Sequence, residues 1–523
     1  MLGSGLDRAG IASPYSDPVS HLRAQDESIY ANSAIGLAAR GGWLTPKAMG
    51  RFMLFKPPLL VWFAGAFLKV FGTSVWALRL PVLLVASAAT TLLFYWFGGG
   101  ADGSSWAVFL LLVSNPLWHT FSRLCYTDML LAAAFTGAMF CVYRDPDLGS
   151  RRAFFGFALC TAAGIMAKNI AGLLPLFVLV LYVLAIGKQG VRPSFPRLAQ
   201  LGGVILAAAA PWHVYQWIVH RNWFLADYAG VQIIEFGLHP PAQNAHEGPV
   251  RFYAERLALM DPVLILAVLI ASPVLARRLW KDRPPELILL FSWLAVAVSA
   301  LLAFQFRNLP YAVSLVPVLC LMAARMMRKR AWIYLLGLIF LVKAMFPDQI
   351  WGLPFTAPAP IPMARPLRDY WQLGRPNELV LISPEDEFYA FNLPGLKVRY
   401  CFLDPSGTTV RYAPHYAYLG ITLTGAQFLD VSRIGPEYGQ RLRSWGLDSS
   451  SAIGSALAVD SLPDLQRLVS GLPHTDFELP EAWRISGGPE HEIRRSAPGR
   501  VFLLARNPPG TPALPRPNLP AKW

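Results

Sequence analysis

RRAFFGFALCTAAGIMAKNIAGLLPLFVLVLYVLAIGK, residues 151–188, holds two apolar runs, 153–167 and 170–187, parted by Lys168 and Asn169 and bracketed by Arg151, Arg152 and Lys188. Runs approaching the roughly 20 apolar residues that a bilayer-crossing helix needs read as consecutive membrane spans joined by a short polar turn. Comparable segments lie at 80–97, 106–123, 129–143, 198–219, 262–276, 286–304, 310–326 and 331–347, giving ten expected spans. Composition agrees: of 523 residues 54% are hydrophobic and 15% charged, with a mean hydropathy of +0.40, well on the apolar side of a soluble protein. An integral membrane protein is expected.

The net charge of +14 (46 basic against 32 acidic residues) follows the loops rather than one face. Arg144, Arg151 and Arg152, then Lys188, Arg192 and Arg197, then Arg277, Arg278, Lys281 and Arg283, then Arg325, Arg328, Lys329 and Arg330 occupy every second loop. The positive-inside rule gives these loops to the cytoplasm, and a nucleic-acid partner is not expected. The outer side receives residues 1–79, the neighbourhood of Asp128, Lys168-Asn169, residues 220–261, Arg307 to Pro310, and the chain after about 348. Cys125, Cys141, Cys160, Cys320 and Cys401 form no CxxC pair or disulfide framework, and read as small residues of a helical bundle.

The expected organisation is a first outer loop with juxtamembrane helices (1–79), a transmembrane bundle (80–347), a proline-rich linker (348–376), a small outer α/β soluble domain (377–508) and a disordered tail (509–523). Strand-like runs fall at 378–382 and 501–505, with a helix-like run near 462–472. Residues 59–72 are apolar but short, and crossing there would move every arginine cluster to the other side, so they are expected to lie along the membrane surface. An even number of spans leaves the amino-terminal arm outside although residues 1–54 hold no apolar segment. A further transmembrane helix is therefore expected ahead of this sequence.

Four outer elements place polar side chains where proximity to lipid is costly. The first holds Asp26, Glu27 and Tyr30 ahead of an amphipathic helical pattern that Gly41-Gly42 closes. The second is Lys56 with Pro57 and Pro58, whose rings fix the backbone. Arg123 and Asp128 in SRLCYTD form the third, and the turns Lys168-Asn169 and Arg307-Asn308-Leu309-Pro310-Tyr311 the fourth. Taken singly, each has a plainer reading: a solvated acidic pair, a snorkelling lysine, a helix-capping aspartate, headgroup anchors. Together, two carboxylates and several cations on one membrane face suit an anionic lipid headgroup and a nucleophile that must lose a proton.

DESIY (26–30), GGWLTP (41–46), Gly50 six residues before the lysine of KPPLLVW (56–62), FGTSVWALRLP (71–81), SRLCYTD (122–128) and APW (210–212) resemble the polyprenyl-phosphate-sugar glycosyltransferases of the GT-C superfamily. The lipid A aminoarabinose transferases and the protein O-mannosyltransferases are the nearest members. The likeness is strong from residue 24 to about 130, ordered but weaker to about 320, and architectural beyond. It implies a mainly α, polytopic GT-C bundle with an outward-facing cavity and a sugar donor carried on a polyprenyl phosphate. It also implies an inverting reaction with Asp26 as the first-loop aspartate, Asp128 as the second-loop acid and Lys56 on the donor phosphate. A helix precedes the DE motif in that family, in line with the missing span. Phe55 stands where the aminoarabinose transferases carry Glu, and Gln232 where they carry His. Both support a metal in that subgroup, so no divalent metal is expected here. Ile29 and Asn308 also depart from that subgroup, which leaves the sugar open. His220, His239 and His246 lack a ligand spacing such as HxxxH.

The expected mechanism has Asp26 as general base, Asp128 orienting the acceptor or Asp26, and Lys56 on the phosphate, helped by Arg123, Lys168 or Arg307. Glu27, Tyr30 and Tyr311 complete the expected substrate-binding set, with Glu27 orienting the first loop. The acceptor is a hydroxyl or phosphate of a lipid such as lipid A, another glycan or a protein. A lipid-linked-sugar flippase or exporter, which would need no Asp26, and a scaffold are the alternatives. The expected location is the bacterial inner membrane, with the site and the soluble domain on the periplasmic side.

Overall fold

The structure, a computed structural model, describes residues 26–48, 51–72, 74–100, 103–187, 190–221, 224–235, 237 and 248–345, together with four strands further on. Helix α1, Asp26–Arg40, opens with two acidic residues that complement the helix dipole. It stops at Gly41, whose φ of +77° suits a residue without Cβ and whose N–H returns to Leu37 O at 2.9 Å. A minimal antiparallel pair, β1 (Lys47–Ala48) and β2 (Arg51–Phe52), leads into α2, Leu59–Phe71. That helix has 13 residues, about 20 Å, against a bilayer core of about 30 Å. It buries Leu60, Val61, Ala64, Gly65 and Leu68 between α1 and α3.

Helix α3, Val75–Phe94, starts ahead of the expected residue 80 because Ser74 caps it, accepting from Ala77 N at 3.4 Å. Arg79 is thereby carried inside the helix. The expected single span 106–123 is two helices, α4 (Gly103–Ser114) and α5 (Pro116–Phe121). The break has a local cause: Pro116 offers no N–H and pushes Asn115 out of helical conformation. The freed Asn115 side chain caps α5 through Trp118 N at 3.1 Å and donates to Asp261 at 2.9 Å.

Helices α6 (Thr127–Arg144), α7 (Arg151–Lys168), α8 (Leu174–Ile186) and α9 (Phe195–His220) follow. Between α7 and α8 the 3-10 turn Asn169–Leu173 folds the chain back on itself. A Cβ on Gly172 would lie 1.9 Å from Ile165 N and one on Gly164 would lie 3.1 Å from Gly172 Cα, so only a glycine fits at this crossing. A π-helical stretch, Leu225–Glu235, then α10 (Pro249–Met260), α11 (Pro262–Asp282), α12 (Pro285–Ala303), a 3-10 segment Leu309–Leu315 running into α13 (Val316–Ala324), and α14 (Arg330–Met345) complete the helical part. Helices cover the described part of all ten expected apolar segments, apart from short breaks and ends. On apolar length alone five stretches qualify to cross a bilayer, Val75–Phe97, Arg151–Ile186, Phe195–His220, Pro262–Asp282 and Pro285–Ala303, the second being the folded-back pair α7 and α8.

The two ends of the bundle differ in chemistry. At one, Arg197 donates to Leu148 O at 2.9 Å, Arg283 to Ala185 O at 2.6 Å, and Arg325 pairs with Glu286 at 2.7 Å. At the other, the α7–α8 turn meets the Lys56 segment and the start of α6. The basic loops thus share one end and the polar turns the opposite one, as the charge pattern predicts.

Further on, strands β3 (Glu378–Ile382), β4 (Lys397–Tyr400), β5 (Thr475–Glu478) and β6 (Phe502–Arg506) form one mixed sheet in the order β4-β3-β6-β5. The β3–β4 pair is parallel and the other two are antiparallel. Both expected strands are there, the second running from 502 to 506, whereas the expected helix at 462–472 lies outside the described residues.

Candidate active site

Asp128 sits in the first turn of α6. It does not cap that helix: Tyr126 is the N-cap and makes no side-chain cap bond. Asp128 instead accepts from Lys168 Nζ at the end of α7, and both groups are buried, with 5% and 11% of their side-chain surface exposed. The same ammonium lies 4.0 Å from the ring centre of Tyr311. Asn169, the next residue, has a φ of +54°, a backbone conformation that L residues rarely adopt. Its amide donates to Phe55 O at 3.3 Å, which fastens the α7–α8 turn to the backbone just before Lys56.

Lys56 keeps part of its surface open. Burial of the ammonium is nonetheless the largest influence on it and lowers its pKa from 10.5 to about 8. Lys168 lowers it further by like-charge repulsion, while Asp26 and Asp128 raise it. Asp26, Asp128 and Lys168 therefore all lie within Coulombic reach of Lys56. Tyr30, one turn along α1 from Asp26, is buried and hydrogen-bonded to the Thr127 side chain; burial and then Asp26 push its phenol well above its usual range. Arg307 belongs to the same side, since Tyr253, whose hydroxyl donates to Asn308 O at 3.4 Å, feels both Asp128 and Arg307.

Glu27 and Arg123 lie off this cluster, Glu27 in the supporting position expected of a residue that orients the first loop. Glu27 is fully buried beneath the site, accepting from Arg79 Nε at 2.7 Å, from Arg79 Nη2 at 2.8 Å and from Cys125 N at 2.9 Å. This bidentate pair ties α1 to α3 and to the segment before α6. Arg123 lies with that support, 2.8 Å from His119 Nε2 and near Arg79. The sequence reading gave Arg79 no role, although a cation inside an apolar helix, with a first-loop acid expected to orient its loop, was the available signal.

The GGWLTP loop is also held by residues the sequence reading passed over. Trp62 Nε1 donates to Trp43 O at 2.6 Å, Trp212 Nε1 to Leu44 O at 2.8 Å, and Gln216 Nε2 to Leu44 O at 2.6 Å. Thr45 bonds Gln216 at 3.1 Å and meets His220 at 3.3 Å. The APW tryptophan is thus a clamp on the first loop. The His220 ring packs tilted against Phe52 at 4.7 Å between ring centres, while His239 and His246 lie outside the described residues.

Phe55 is packed in the hydrophobic core, and among the described residues no three His, Cys, Asp or Glu side chains gather as ligands.

Residues 55–215 match the family model described as dolichyl-phosphate-mannose-protein mannosyltransferase. The undecaprenyl phosphate-alpha-4-amino-4-deoxy-L-arabinose arabinosyl transferase of Aeromonas hydrophila is 26% identical over 353 residues, 61% of each chain. Its counterpart in Yersinia enterocolitica is 25% identical over 293 residues, 51% of this chain and 48% of that one. This chain therefore spans about three-fifths or less of the length of these relatives. The structure of ArnT from Cupriavidus metallidurans bound to undecaprenyl phosphate superposes with a TM-score of 0.50 at 21% identity, covering 66% of this chain and 62% of that one. The chain is a multi-pass membrane protein of GT-C fold, and in sequence it is similar to aminoarabinose and protein mannosyl transferases.

Proposed function

We propose that this protein is an inverting membrane glycosyltransferase that moves a sugar from a polyprenyl-phosphate donor to a lipid, glycan or protein acceptor on the outer face of the bacterial inner membrane. The carrying observation is the convergence of Asp26, Lys56, Asp128 and Lys168, from four separate elements, at one end of the bundle. Similarity to transferases named for undecaprenyl-phosphate sugars supports the donor class.

Lys56 and Lys168 hold the donor phosphate through charge-assisted hydrogen bonds and stabilise the charge it gains as it leaves. Tyr311 and Asp128 fix the Lys168 ammonium. Asp26 takes the proton of the acceptor hydroxyl while the hydroxyl oxygen attacks the anomeric carbon. The bond from that carbon to the phosphate oxygen breaks on the opposite face, and the prenyl phosphate departs with the electron pair. Confinement of both substrates at one interface makes the encounter effectively intramolecular. Arg307 lines the approach, the buried Tyr30 supports the site through its bond to Thr127, and residues 377–508 form a separate outer unit in this reading.

Transfer from a radiolabelled polyprenyl-phosphate sugar, measured for the wild type and Asp26→Asn, tests this. Loss of about 10²- to 10⁴-fold in kcat with donor binding retained is expected for a removed general base. Undiminished transfer would remove Asp26 as the base, and lipid-linked-sugar translocation without any transfer, unaltered in Asp26→Asn, would favour the transport reading.

A further inference from the structure

At the arginine-rich end of the bundle, a cleft of about 460 Å³ opens between α7 and α9. Its volume is in the range of small-ligand pockets. It begins at the first residue of α7, whose 18 residues put it about 27 Å from Lys168, nearly the hydrocarbon thickness of a bilayer. The cleft is therefore not an extension of the active site.

Its walls divide by chemistry. Phe155, Gly203 and Val204 supply an apolar wall that faces outward, while Arg151, Arg197 and Gln200 crown it at the helix starts. Arg197 is held rigid: Nε and Nη2 donate to Leu148 O at 2.9 and 2.8 Å, Nη2 also to Gly149 O at 2.9 Å, and the guanidinium lies 4.1 Å from the Phe154 ring centre. All of these partners are neutral, so the positive charge persists. The nearby acids are turned to the backbone, Asp145 accepting from Ser150 N at 2.8 Å and Asp147 from Gly149 N at 3.2 Å. Arg151 is exposed at the rim.

We infer that this cleft is a binding site for a diacyl phospholipid with an anionic headgroup, its acyl chain against Phe155 and Val204 and its phosphate between Arg151 and Arg197. A cationic rim over an apolar groove at headgroup depth complements such a lipid at both ends. A zwitterionic lipid gains only the apolar half. Gly203 offers a clean probe, because a Cβ there would meet no atom within 4 Å. A leucine at that position occupies the groove without disturbing the helix.

Native mass spectrometry of the full chain in detergent, titrated with phosphatidylglycerol or phosphatidylcholine, reads the site. Several-fold preference for phosphatidylglycerol is expected. It falls about fivefold in Arg151→Gln, the weight of one cation near an anionic surface, and stays unchanged in Arg152→Gln, because Arg152 does not line the cleft. Gly203→Leu loses the tightly held lipid, and millimolar inorganic phosphate does not displace it from the wild type. Equal binding of the two lipids, equal effects of Arg151→Gln and Arg152→Gln, retention of the lipid by Gly203→Leu, or displacement by phosphate would each overturn the inference.

Discussion

Replacing Lys56 by methionine removes the ammonium and leaves a side chain of similar length. The lost interaction is a hydrogen bond between charged partners, about 1.5–3 kcal/mol, or about 10- to 150-fold in donor Kd. The pH profile sharpens the expectation. Burial holds Lys56 at about 8 rather than 10.5, and phosphate requires the protonated form. Donor affinity is then flat below about pH 8 and falls by up to about tenfold per pH unit above it. Folding moves the other way: between about 8 and 10.5 the unfolded chain binds the extra proton, so this group adds stability as pH rises. Tyr30, held well above its usual range, does not titrate in that window. Binding of a polyprenyl phosphate, followed by fluorescence or calorimetry from pH 6 to 10 in wild type, Lys56→Met and Lys56→Arg, provides the assay. Arginine stays charged throughout, so its profile should lose the alkaline limb. An affinity loss below about threefold in Lys56→Met, well short of what one charged hydrogen bond supplies, or an alkaline limb unchanged in Lys56→Arg, would refute the reasoning.

Glu27→Gln and Arg79→Met should each destabilise the protein by about 3–5 kcal/mol by stranding a buried charge, whereas Glu27→Leu with Arg79→Met should recover most of that loss; denaturant titration in micelles closes the cycle. Gly172→Ala should abolish a monodisperse species in size-exclusion chromatography, since its Cβ would lie 1.9 Å from Ile165 N, while Gly203→Ala, which meets nothing within 4 Å, should behave as wild type. Lys168→Met should weaken donor binding more than Lys168→Arg and leave Asp128 buried without its cation, lowering the melting temperature as well. Trp212→Phe, which keeps the ring but drops the bond to Leu44 O, should raise proteolytic cleavage within residues 41–46 with a smaller effect on global unfolding.

Apolar length and loop charge carried the helical architecture, because a bilayer imposes both on any chain that crosses it. They also gathered Asp26, Lys56, Asp128, Lys168, Arg307 and Tyr311 on one side. Periodicity did not disclose the Asn115-Pro116 break, whose consequence depends on Asp261, 146 positions away, accepting the freed amide. Nor could it divide the acids into roles. Asp26 and Glu27 are adjacent in sequence, yet one turns to the cluster of lysines and the other to Arg79, a distinction set by helix α3. The clamp on the GGWLTP loop was hidden for a similar reason, since tryptophan and glutamine near the end of an apolar helix look like interface anchors until a carbonyl is found opposite them.

The proximity of Lys56 and Lys168 bears on how a catalytic cycle would end. A sugar esterified to polyprenyl phosphate leaves a diester with a single negative charge, but once the sugar departs the monoester carries about −1.5 to −2 at neutral pH. Two ammonium groups that repel each other gain more from the doubly charged species. Under the proposed mechanism the spent carrier would be gripped harder than the fresh one, and its escape into the bilayer, rather than glycosyl transfer, is the step expected to set turnover.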